Sequence, residues 1–334
     1  MTKLSIILAV LFFSFIASAK KYPISDHYDG EKFFNPEGHD IKSFWTVLKW
    51  KLTSETSPWP ESIPNSNYTL PPLETKKGVV TFINHASFLV QLPGVNVLTD
   101  PIYSERASPV KFAGPKRVRA PGIEFELLPP IDVVVISHNH YDHLDLETLQ
   151  RLDGKYHPLF LVPLGDEKLL KNAGIQNVKE LDWWDEVQVK DLKITFAPSQ
   201  HWSARGLFDK CESLWGSFML DHNGSKIYFA GDTGYGNHFS KIHERIGAPL
   251  LSLLPIGAYE PRWFMRAFHM NPEEALKAHE DLGSFLSFGM HMGTFQLTDE
   301  AYDRPVKDLH MSRQKMGISP EKFRILDQGE SYTY

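Results

Sequence analysis

The stretch DVVVISHNHYDH, residues 132–143, decides both the fold and the chemistry that we predict for this chain. Its opening part is a run of β-branched residues, which is typical of a strand buried on both faces. Four side chains able to bind a metal follow that run, namely His138, His140, Asp142 and His143. Alternation along an extended loop directs the first two toward one point, and a turn directs the last two toward another. The spacing therefore suits two metal ions about 3.5–4 Å apart.

Three further candidate ligands stand directly after other apolar, strand-like runs. They are His201, Asp232 and His291, which follow residues 193–197, 226–230 and 285–288. Each has a small or turn-forming neighbour that lets the backbone come close to a metal. A single histidine at a strand end is more often a hydrogen-bonded structural residue. Together with the four side chains above, however, these three would complete two coordination shells.

The composition limits the kind of protein that this can be. The chain has 334 residues, 15 histidines and one cysteine, so an intramolecular disulfide framework and a Cys-rich zinc finger are excluded. A hydrophobic content of 42% is enough to bury a substantial core. The formal net charge of −6 argues against a polyanionic partner. We therefore predict no nucleic acid as partner, and we infer no protein partner.

The N-terminus has the pattern of a secretory signal peptide over residues 1–19. Lys3 is its only charged residue, Leu4–Ile16 is apolar, and Ala17-Ser18-Ala19 is a small-x-small cleavage pattern. An apolar run of about 13 residues is shorter than the roughly 20 that span a bilayer. We expect export to the periplasm or cell envelope, with cleavage after Ala19. An uncleaved N-terminal anchor is the alternative.

The rest of the chain divides into a lead-in and one domain. Residues 20–77 are rich in Pro, Ser, Asn and aromatic residues, which predicts an irregular lead-in packed on the domain, with one helix near 41–52. Residues 78–334 alternate short apolar runs with amphipathic ones, and Asn271-Pro272 marks a helix start. The predicted strands span 79–82, 88–92, 95–99, 132–136, 159–162, 178–181, 187–189, 193–197, 217–220, 226–230 and 250–254. Two sheets with helices outside them are the economical architecture.

The order of the candidate ligands resembles a known family. H-x-H-x-D-H, a later histidine, an aspartate within GDTG (residues 231–234) and a final histidine are similar to the metallo-β-lactamase superfamily. This resemblance implies an α/β fold, the αββα sandwich of two mixed β-sheets flanked by helices. Other stretches resemble its N-acylphosphatidylethanolamine-hydrolysing phospholipase D branch: INHAS (83–87), LTDP (98–101), GPKR (114–117), QHW (200–202), LWGS (214–217), AGDTGY (230–235) and PIGAYEPRWFM (255–265). In the lead-in, YDG (28–30) and SFW (43–45) resemble bacterial members of this branch more than animal ones.

The resemblance also implies a ligand set for two Zn²⁺ per chain. It assigns His138, His140 and His201 to the first zinc. It assigns Asp142, His143 and His291 to the second zinc, and Asp232 bridges the two. Asp100, at a strand end, is expected to support these ligands from behind. His269 matches a family histidine that acts near the substrate phosphate; the alternative is a neighbour of a helix N-terminus with no chemical role. Met292 stands where the family has tryptophan, which leaves details of the substrate open.

The activity that the resemblance implies is that of a dinuclear zinc hydrolase. Such an enzyme, a phosphodiesterase of the phospholipase D type, cleaves N-acylphosphatidylethanolamine-like lipids to N-acylethanolamine and phosphatidate by attack of a metal-bridging hydroxide. The catalytic residues would be Asp142, Asp232 and His269. The phospholipid or small phosphodiester substrate would contact one aromatic segment, unless the apolar side chains of that segment are ordinary core: Tyr259, Arg262, Trp263, Phe264 and Met265. A basic cluster at 111–119 would favour peripheral association with a membrane, unless it is only a solvated loop.

Two other functions stay open. A lactonase or another small-molecule hydrolase could use the same dinuclear scaffold, because a metal site alone does not select the substrate. A non-catalytic zinc-binding envelope protein is the alternative from another class, although such a protein has no need of a bridging aspartate. A zinc β-lactamase is less expected, because those enzymes carry cysteine where Asp232 stands.

Overall fold

Two β-sheets form the centre of the protein, which a computed structural model describes for residues 21–38 and 42–334. The first strands along the chain are β1 (Val79–Asn84), β2 (Ser87–Leu92), β3 (Val95–Thr99), β4 (Val133–Val135), β5 (Leu159–Pro163), β6 (Val178–Leu181) and β7 (Glu186–Val189). They are followed by β8 (Leu192–Ala197), β9 (Ser217–His222), β10 (Ser225–Phe229), β11 (Leu251–Pro255), β12 (Leu286–Met290), β13 (Phe323–Ile325) and β14 (Ser331–Thr333).

Both sheets are mixed and have seven strands each. The first has the order β14-β1-β2-β3-β4-β5-β6, with antiparallel pairing up to β3 and parallel pairing from β3 to β6. The second has the order β13-β12-β11-β10-β9-β8-β7, parallel from β13 to β10 and antiparallel from β10 to β7. Each sheet therefore carries a parallel half, and parallel strands place their carboxyl ends at one edge.

Helices accompany the two sheets, and some of them cover the outer faces. They are α1 (Phe44–Thr53), α2 (Leu146–Tyr156), α3 (Glu167–Asn172), α4 (His238–Ile246), α5 (Arg262–Met265), α6 (Pro272–Asp281) and α7 (Arg304–Met316), with a short 3-10 turn at Phe125–Leu127. Leu149 of α2 and Leu170 of α3 join an apolar cluster on the outer side of the first sheet. On the second sheet, α6 packs against β11, and it also contacts α4 and α7. The predicted αββα sandwich is confirmed.

The β-branched run of the quoted stretch forms β4 and is buried on both faces, as predicted. Val133 and Val135 point into the large apolar cluster between the sheets, whereas Val134 and Ile136 belong to the cluster under α2 and α3. All four side chains have no exposed surface. A strand fixed on both faces holds the loop that follows it in one place.

The described part of the lead-in lies against the domain through aromatic side chains. Trp50 of α1 stacks on Phe264 with ring centroids 4.8 Å apart. The indole of Trp59 donates a hydrogen bond of 2.9 Å to the Glu300 carbonyl oxygen. The predicted signal segment lies outside the described residues. Among residues 21–38 and 42–334, no helix has the length and apolar character needed to cross a bilayer.

The contact between His27 and Asp182 gives this packing a pH dependence. The side chain of His27 is buried, and its Nδ1 and Nε2 lie 2.7 Å from carboxylate oxygens of Asp26 and Asp182. Burial alone would lower the pKa of His27, but the two carboxylates outweigh it and raise the pKa above the usual 6.5. A raised pKa adds stability that is complete below about pH 6.5 and is lost as pH rises through the folded-state pKa.

We expect Asp182→Asn to lower the melting temperature most at pH 6 and least at pH 9. The difference between the two pH values should correspond to about 1 kcal/mol, the usual net worth of one hydrogen bond. Thermal melts of both proteins at the two pH values measure it. Asp153→Asn, beside the exposed His157, is the matched control and should show no such trend. Equal destabilisation at both pH values would contradict the ion pair.

Candidate metal centre

The predicted ligands converge at one edge of the sandwich. The histidine loop (residues 138–143) follows β4 of the first sheet, and His201, Asp232 and His291 follow β8, β10 and β12 of the second. All seven side chains that the sequence singled out are thereby brought together, although they span more than 150 positions of the chain. Their roles as ligands stay a prediction that the geometry makes specific.

Three imidazoles form the first cluster. His140 Nδ1 lies 2.8 Å from His138 Nε2 and 3.2 Å from His201 Nε2. Ring nitrogens of all three histidines lie within 4.8 Å of one another. Three convergent nitrogens are the donor set of many zinc enzymes, which leave the remaining positions open for water or substrate.

The second cluster combines one carboxylate with two imidazoles. Asp142 Oδ2 lies 3.4 Å from His143 Nε2 and 3.3 Å from His291 Nε2, and the two imidazole nitrogens are 3.2 Å apart. His85 joins this cluster, because its Nε2 lies 2.9 Å from the same Asp142 oxygen and its ring lies 4.0 Å from the His291 ring. Both clusters therefore have the ligand number and type that a divalent ion needs.

Asp232 lies between the two clusters. Its Oδ2 is 3.3 Å from His143 Nε2 and 3.8 Å from His201 Nε2, and its Oδ1 is 3.1 Å from His291 Nε2. One carboxylate thus faces a histidine of the first cluster and two histidines of the second. This is the placement that a bridging ligand requires.

Unpaired buried atoms show that a cation fits this centre. Asp232 Oδ1 and His269 Nδ1 are buried and form no hydrogen bond with any described residue. Asp232 Oδ1 has instead an ionic contact of 3.1 Å with His291 Nε2. An unsatisfied buried polar atom costs about 1–3 kcal/mol, so the metal-free arrangement is poorly satisfied.

The pKa values of the side chains in the two clusters also favour a bound cation. Burial holds the pKa of His138 well below its usual range and lowers that of His140 to about 4, which leaves both imidazoles in the neutral form that binds metals. Burial also opposes a charge on His291, yet Asp232 and Asp142 raise its pKa to about 9. The two buried carboxylates attract a positive charge, and the neutral imidazoles beside them can donate their nitrogen lone pairs. This combination suits a divalent cation.

Asp100 supports the centre from behind, at the place expected from the sequence. Its Oδ2 accepts a hydrogen bond of 2.6 Å from His143 Nδ1, and its Oδ1 accepts one of 2.7 Å from the Ser137 backbone N–H. Burial raises the pKa of Asp100, although the hydrogen bonds from these two residues oppose the rise. The carboxylate directs the other nitrogen of His143, Nε2, toward Asp142 and Asp232.

We expect Asp100→Asn to weaken metal binding by about 10–100-fold, the usual effect of removing a hydrogen-bond partner of a ligand. The amide presents only one acceptor oxygen, so His143 loses its fixed orientation. Competition with a chromophoric chelator measures the affinity. Asp132→Asn, which breaks a surface pair with Lys190 at 2.7 Å, is the control and should bind metal as the wild type does. Unchanged affinity in Asp100→Asn would refute the role.

His269 lies beside the centre. Its Nδ1 is 3.8 Å from Asp232 Oδ2, and its ring centroid is 5.1 Å from that of His201. Arg262 fixes it from behind, because Nη1 donates to the His269 carbonyl oxygen at 2.9 Å while Nη2 pairs with Glu274 at 2.6 Å. Two nitrogens of the Arg262 guanidinium are therefore occupied by protein partners. Fewer of its N–H groups are available to bind a substrate phosphate.

The predicted helix start at Asn271 is confirmed and serves the same segment. Asn271 Oδ1 accepts from the Glu274 N–H at 2.9 Å, and the Glu274 carboxylate accepts from the Asn271 N–H at 3.2 Å. This reciprocal pair is a capping box. Glu274 thus begins α6 and anchors Arg262 at the same time.

The other predicted substrate-binding residues have different surroundings. Tyr259 and Met265 are buried, and the Tyr259 hydroxyl donates to Asp308 Oδ2 at 2.8 Å. Phe264 is occupied by its stack on Trp50. Trp263 is 51% exposed, so it is the member of the segment with most surface available to a ligand. Contact of these residues with substrate stays a prediction.

The basic cluster at 111–119 is largely neutralised within the domain. Three of its cations form ion pairs: Lys111 with Glu147, Lys116 with Glu105 and Arg119 with Asp327. Arg117 turns inward, and its Nη2 donates to the Ser104 carbonyl oxygen at 2.8 Å. The geometry favours the solvated-loop alternative over a membrane-binding surface made by this cluster.

Sequence reasoning left His85 without a role, and the structure places it at the second cluster. It lies in the turn between β1 and β2 and is buried. Its backbone φ of 48° is unusual for a residue other than glycine. The signal was available in part, since His85 also follows a strand directly. No spacing rule, however, connects a histidine in a hairpin turn with Asp142.

Comparison with known proteins identifies the family. Residues 95–292 match the family model described as a Beta-lactamase superfamily domain. A protein of Caenorhabditis elegans named N-acyl-phosphatidylethanolamine-hydrolyzing phospholipase D 1 is 38% identical over 295 residues, which are 84% of this chain and 82% of that protein. The chain belongs to the metallo-β-lactamase superfamily, in its N-acylphosphatidylethanolamine-hydrolysing phospholipase D branch. It is therefore a metal-dependent hydrolase.

Two further comparisons agree with this membership. A mitochondrial protein of Saccharomyces cerevisiae with the same enzyme name is 43% identical over 225 residues, which are 65% of this chain and 48% of the yeast protein. The chain thus spans about half of that relative. The solved structure of a metallo hydrolase from Ignicoccus hospitalis superposes with a TM-score of 0.59 at 22% identity, covering 78% of this chain and 99% of the other. This last likeness shows the fold.

Proposed function

We propose that the chain is a zinc-dependent phosphodiester hydrolase of the phospholipase D type, which releases N-acylethanolamine from N-acylphosphatidylethanolamine-like lipids and leaves phosphatidate. The observation that carries the proposal is the pair of ligand clusters with Asp232 between them. The worm and yeast relatives, which bear the name of this activity, support the choice of substrate. We further propose two Zn²⁺ per chain and a site of action in the periplasm or cell envelope.

The donor set supports zinc as the metal. Histidine nitrogens outnumber carboxylate oxygens in both clusters together, and imidazole suits zinc better than the hard ions Mg²⁺ and Ca²⁺. Two bound zinc ions would supply hydroxide at neutral pH and neutralise charge on a phosphodiester. The side chains of the protein then have to orient this pair of ions, exclude water and handle the proton of the leaving alcohol.

Asp232 and Asp142 set the charge balance of the centre. Both carboxylates are held ionised, since neighbouring histidines lower their pKa well below the usual range even though burial opposes it. Asp232 faces both clusters and therefore fixes the distance between them. The centre attracts an anionic phosphodiester only when its net charge is positive. Bound cations are needed to outweigh the negative charges of the two carboxylates. This explains why the centre needs metals to bind such a substrate.

His269 is the side chain that we propose as proton donor to the leaving alcohol. Its Nδ1 is buried and 3.8 Å from Asp232 Oδ2, and it has no hydrogen-bond partner among the described residues. Burial lowers the pKa of His269 to about 4, so the neutral ring must accept a proton from the attacking water before it can pass one on. Its backbone is fixed by Arg262, which limits where the ring can move. Transfer of a proton from this ring to the departing oxygen would prevent the expulsion of an alkoxide.

The proposal is tested by metal analysis and a substrate panel on the purified protein. We expect two zinc ions per chain, release of N-acylethanolamine, cleavage of bis-p-nitrophenyl phosphate and no turnover of lactones. Cleavage of lactones alone would overturn the proposal in favour of the lactonase alternative. Bound zinc with no turnover of any substrate would favour a non-catalytic zinc-binding protein.

We expect His269→Ala to lower kcat for N-acylphosphatidylethanolamine by about 10²–10⁴-fold with the metal content unchanged. A diester whose leaving group is p-nitrophenolate needs no proton, so its cleavage should fall much less. Comparing the two substrates in one preparation measures the effect. His310→Ala, an exposed histidine on α7, is the control. Full activity of His269→Ala toward the lipid would remove the residue from the mechanism.

A further inference from the structure

One arginine outside the predicted ligand set contacts the histidine loop at both of its ends. Arg205 Nη1 donates to the Asn139 carbonyl oxygen at 2.9 Å and to the Leu144 carbonyl oxygen at 2.8 Å. Asn139 lies at the start of the loop, and Leu144 follows its last residue. A single guanidinium nitrogen therefore ties the two ends of the loop together.

The same arginine also contacts the middle of the loop. Its guanidinium carbon lies 4.0 Å from the centre of the Tyr141 ring, and the Tyr141 hydroxyl donates to the Arg205 carbonyl oxygen at 2.9 Å. Arg205 and Tyr141 thus hold each other by a stack and by a hydrogen bond. Among the described residues, no carboxylate forms an ion pair with Arg205, so its main partners belong to the loop.

Arg205 itself is held by the segment that carries His201. Its backbone N–H donates to Asp209 Oδ2 at 3.0 Å, and the Gly206 N–H donates to Asp209 Oδ1 at 2.8 Å. These bonds fix the turn four residues after His201. The side chain therefore connects a rigid turn of the second sheet with a loop of the first sheet.

We propose that Arg205 is a positioning residue that holds the histidine loop in register with His201, and so sets the affinity of the first cluster for zinc. This inference rests on the proposed metal function. His140 and His201 come from different sheets, yet their nitrogens lie 3.2 Å apart. Metal ligands must be held within about 0.5 Å of the productive geometry. The buried strand β4 anchors the start of the histidine loop, and Arg205 ties both ends of that loop to the segment that carries His201.

The decisive variant is Arg205→Lys, which keeps the charge but ends one bond short of the Nη1 position that donates to both carbonyl oxygens, and which lacks the planar group that stacks on Tyr141. We expect zinc affinity, measured by competition with a chromophoric chelator, to fall by about 10–100-fold. Excess zinc should restore turnover with an unchanged KM. The melting temperature of the metal-free protein should stay within about 2 °C of the control. Arg245→Lys is that control, because Arg245 stacks on Trp184 at 4.3 Å without touching the loop.

Tyr141→Phe is the second variant, for the case that Arg205→Lys does not fold. It removes only the hydroxyl that donates to Arg205 and should lower zinc affinity by a few-fold. Wild-type zinc affinity in Arg205→Lys, or in Tyr141→Phe if only that variant folds, would overturn the inference. So would an equal loss of stability with and without metal at unchanged affinity. A wild-type chain that binds no zinc would overturn the proposed function together with the inference, whereas the other outcomes overturn the inference alone.

Discussion

Asp232→Asn is expected to lower kcat/KM for the lipid substrate by about 10³-fold or more. The amide keeps the shape of the side chain but loses the negative charge and one of the two acceptor oxygens that face the clusters. A charged group that faces both metals is worth several kcal/mol, and 1.36 kcal/mol corresponds to a factor of ten in rate. Steady-state kinetics at saturating zinc, with metal content measured on the same sample, provide the test.

The control for this variant is Asp221→Asn. Asp221 is a residue of β9 next to the turn that leads into β10, and its carboxylate is 3.7 Å from Lys226 Nζ. The same chemical change there should leave kcat/KM unaltered, because the carboxyl end of β10, where Asp232 lies, is at the other end of the sheet. Full turnover by Asp232→Asn with its zinc bound would refute the bridging role.

Removal of the metal is expected to abolish hydrolysis and to lower the melting temperature by roughly 5–10 °C. A ligand present at 100 times its dissociation constant stabilises the folded state by about 2.7 kcal/mol, and each kcal/mol corresponds to about 2–4 °C in a domain of this size class. The structural reason is that unpaired buried atoms, such as Asp232 Oδ1, gain a partner when a cation is present. Melting curves and assays before and after dialysis against a chelator measure both effects.

Re-addition of metal ions separates specific from general effects. Zinc should restore both the activity and the melting temperature, whereas magnesium should restore neither, because a mostly imidazole donor set suits it poorly. Activity that survives exhaustive chelation would contradict a metal-dependent hydrolysis. Recovery with magnesium alone would contradict the choice of zinc.

Much of the fold could be predicted from local sequence signals. The burial of β4 on both faces follows from three successive β-branched residues, and the start of α6 follows from Asn271 with Pro272. By contrast, α4 and α7 were not predicted. The short α5 and the edge strand β14 were also missed, because short elements owe their stability to their neighbours in the fold and carry weak patterns of their own.

The sequence by itself determined which side chains could form the centre. The H-x-H-x-D-H spacing and the position of His201, Asp232 and His291 after strands are local properties, and strands of a layered sheet deliver their ends to one edge. All of these side chains meet in the structure. Their identity could therefore be argued from the sequence alone.

Only the tertiary structure decided how these side chains are held. The contacts of His85 with Asp142, of Asp100 with His143 and of Arg205 with the histidine loop join residues that are 57, 43 and 61–66 positions apart. Likewise, only the structure shows that Arg262 donates a hydrogen bond to the His269 carbonyl oxygen. The physical reason is that the direction of a side chain depends on the packing of distant elements around it. No local periodicity encodes that direction.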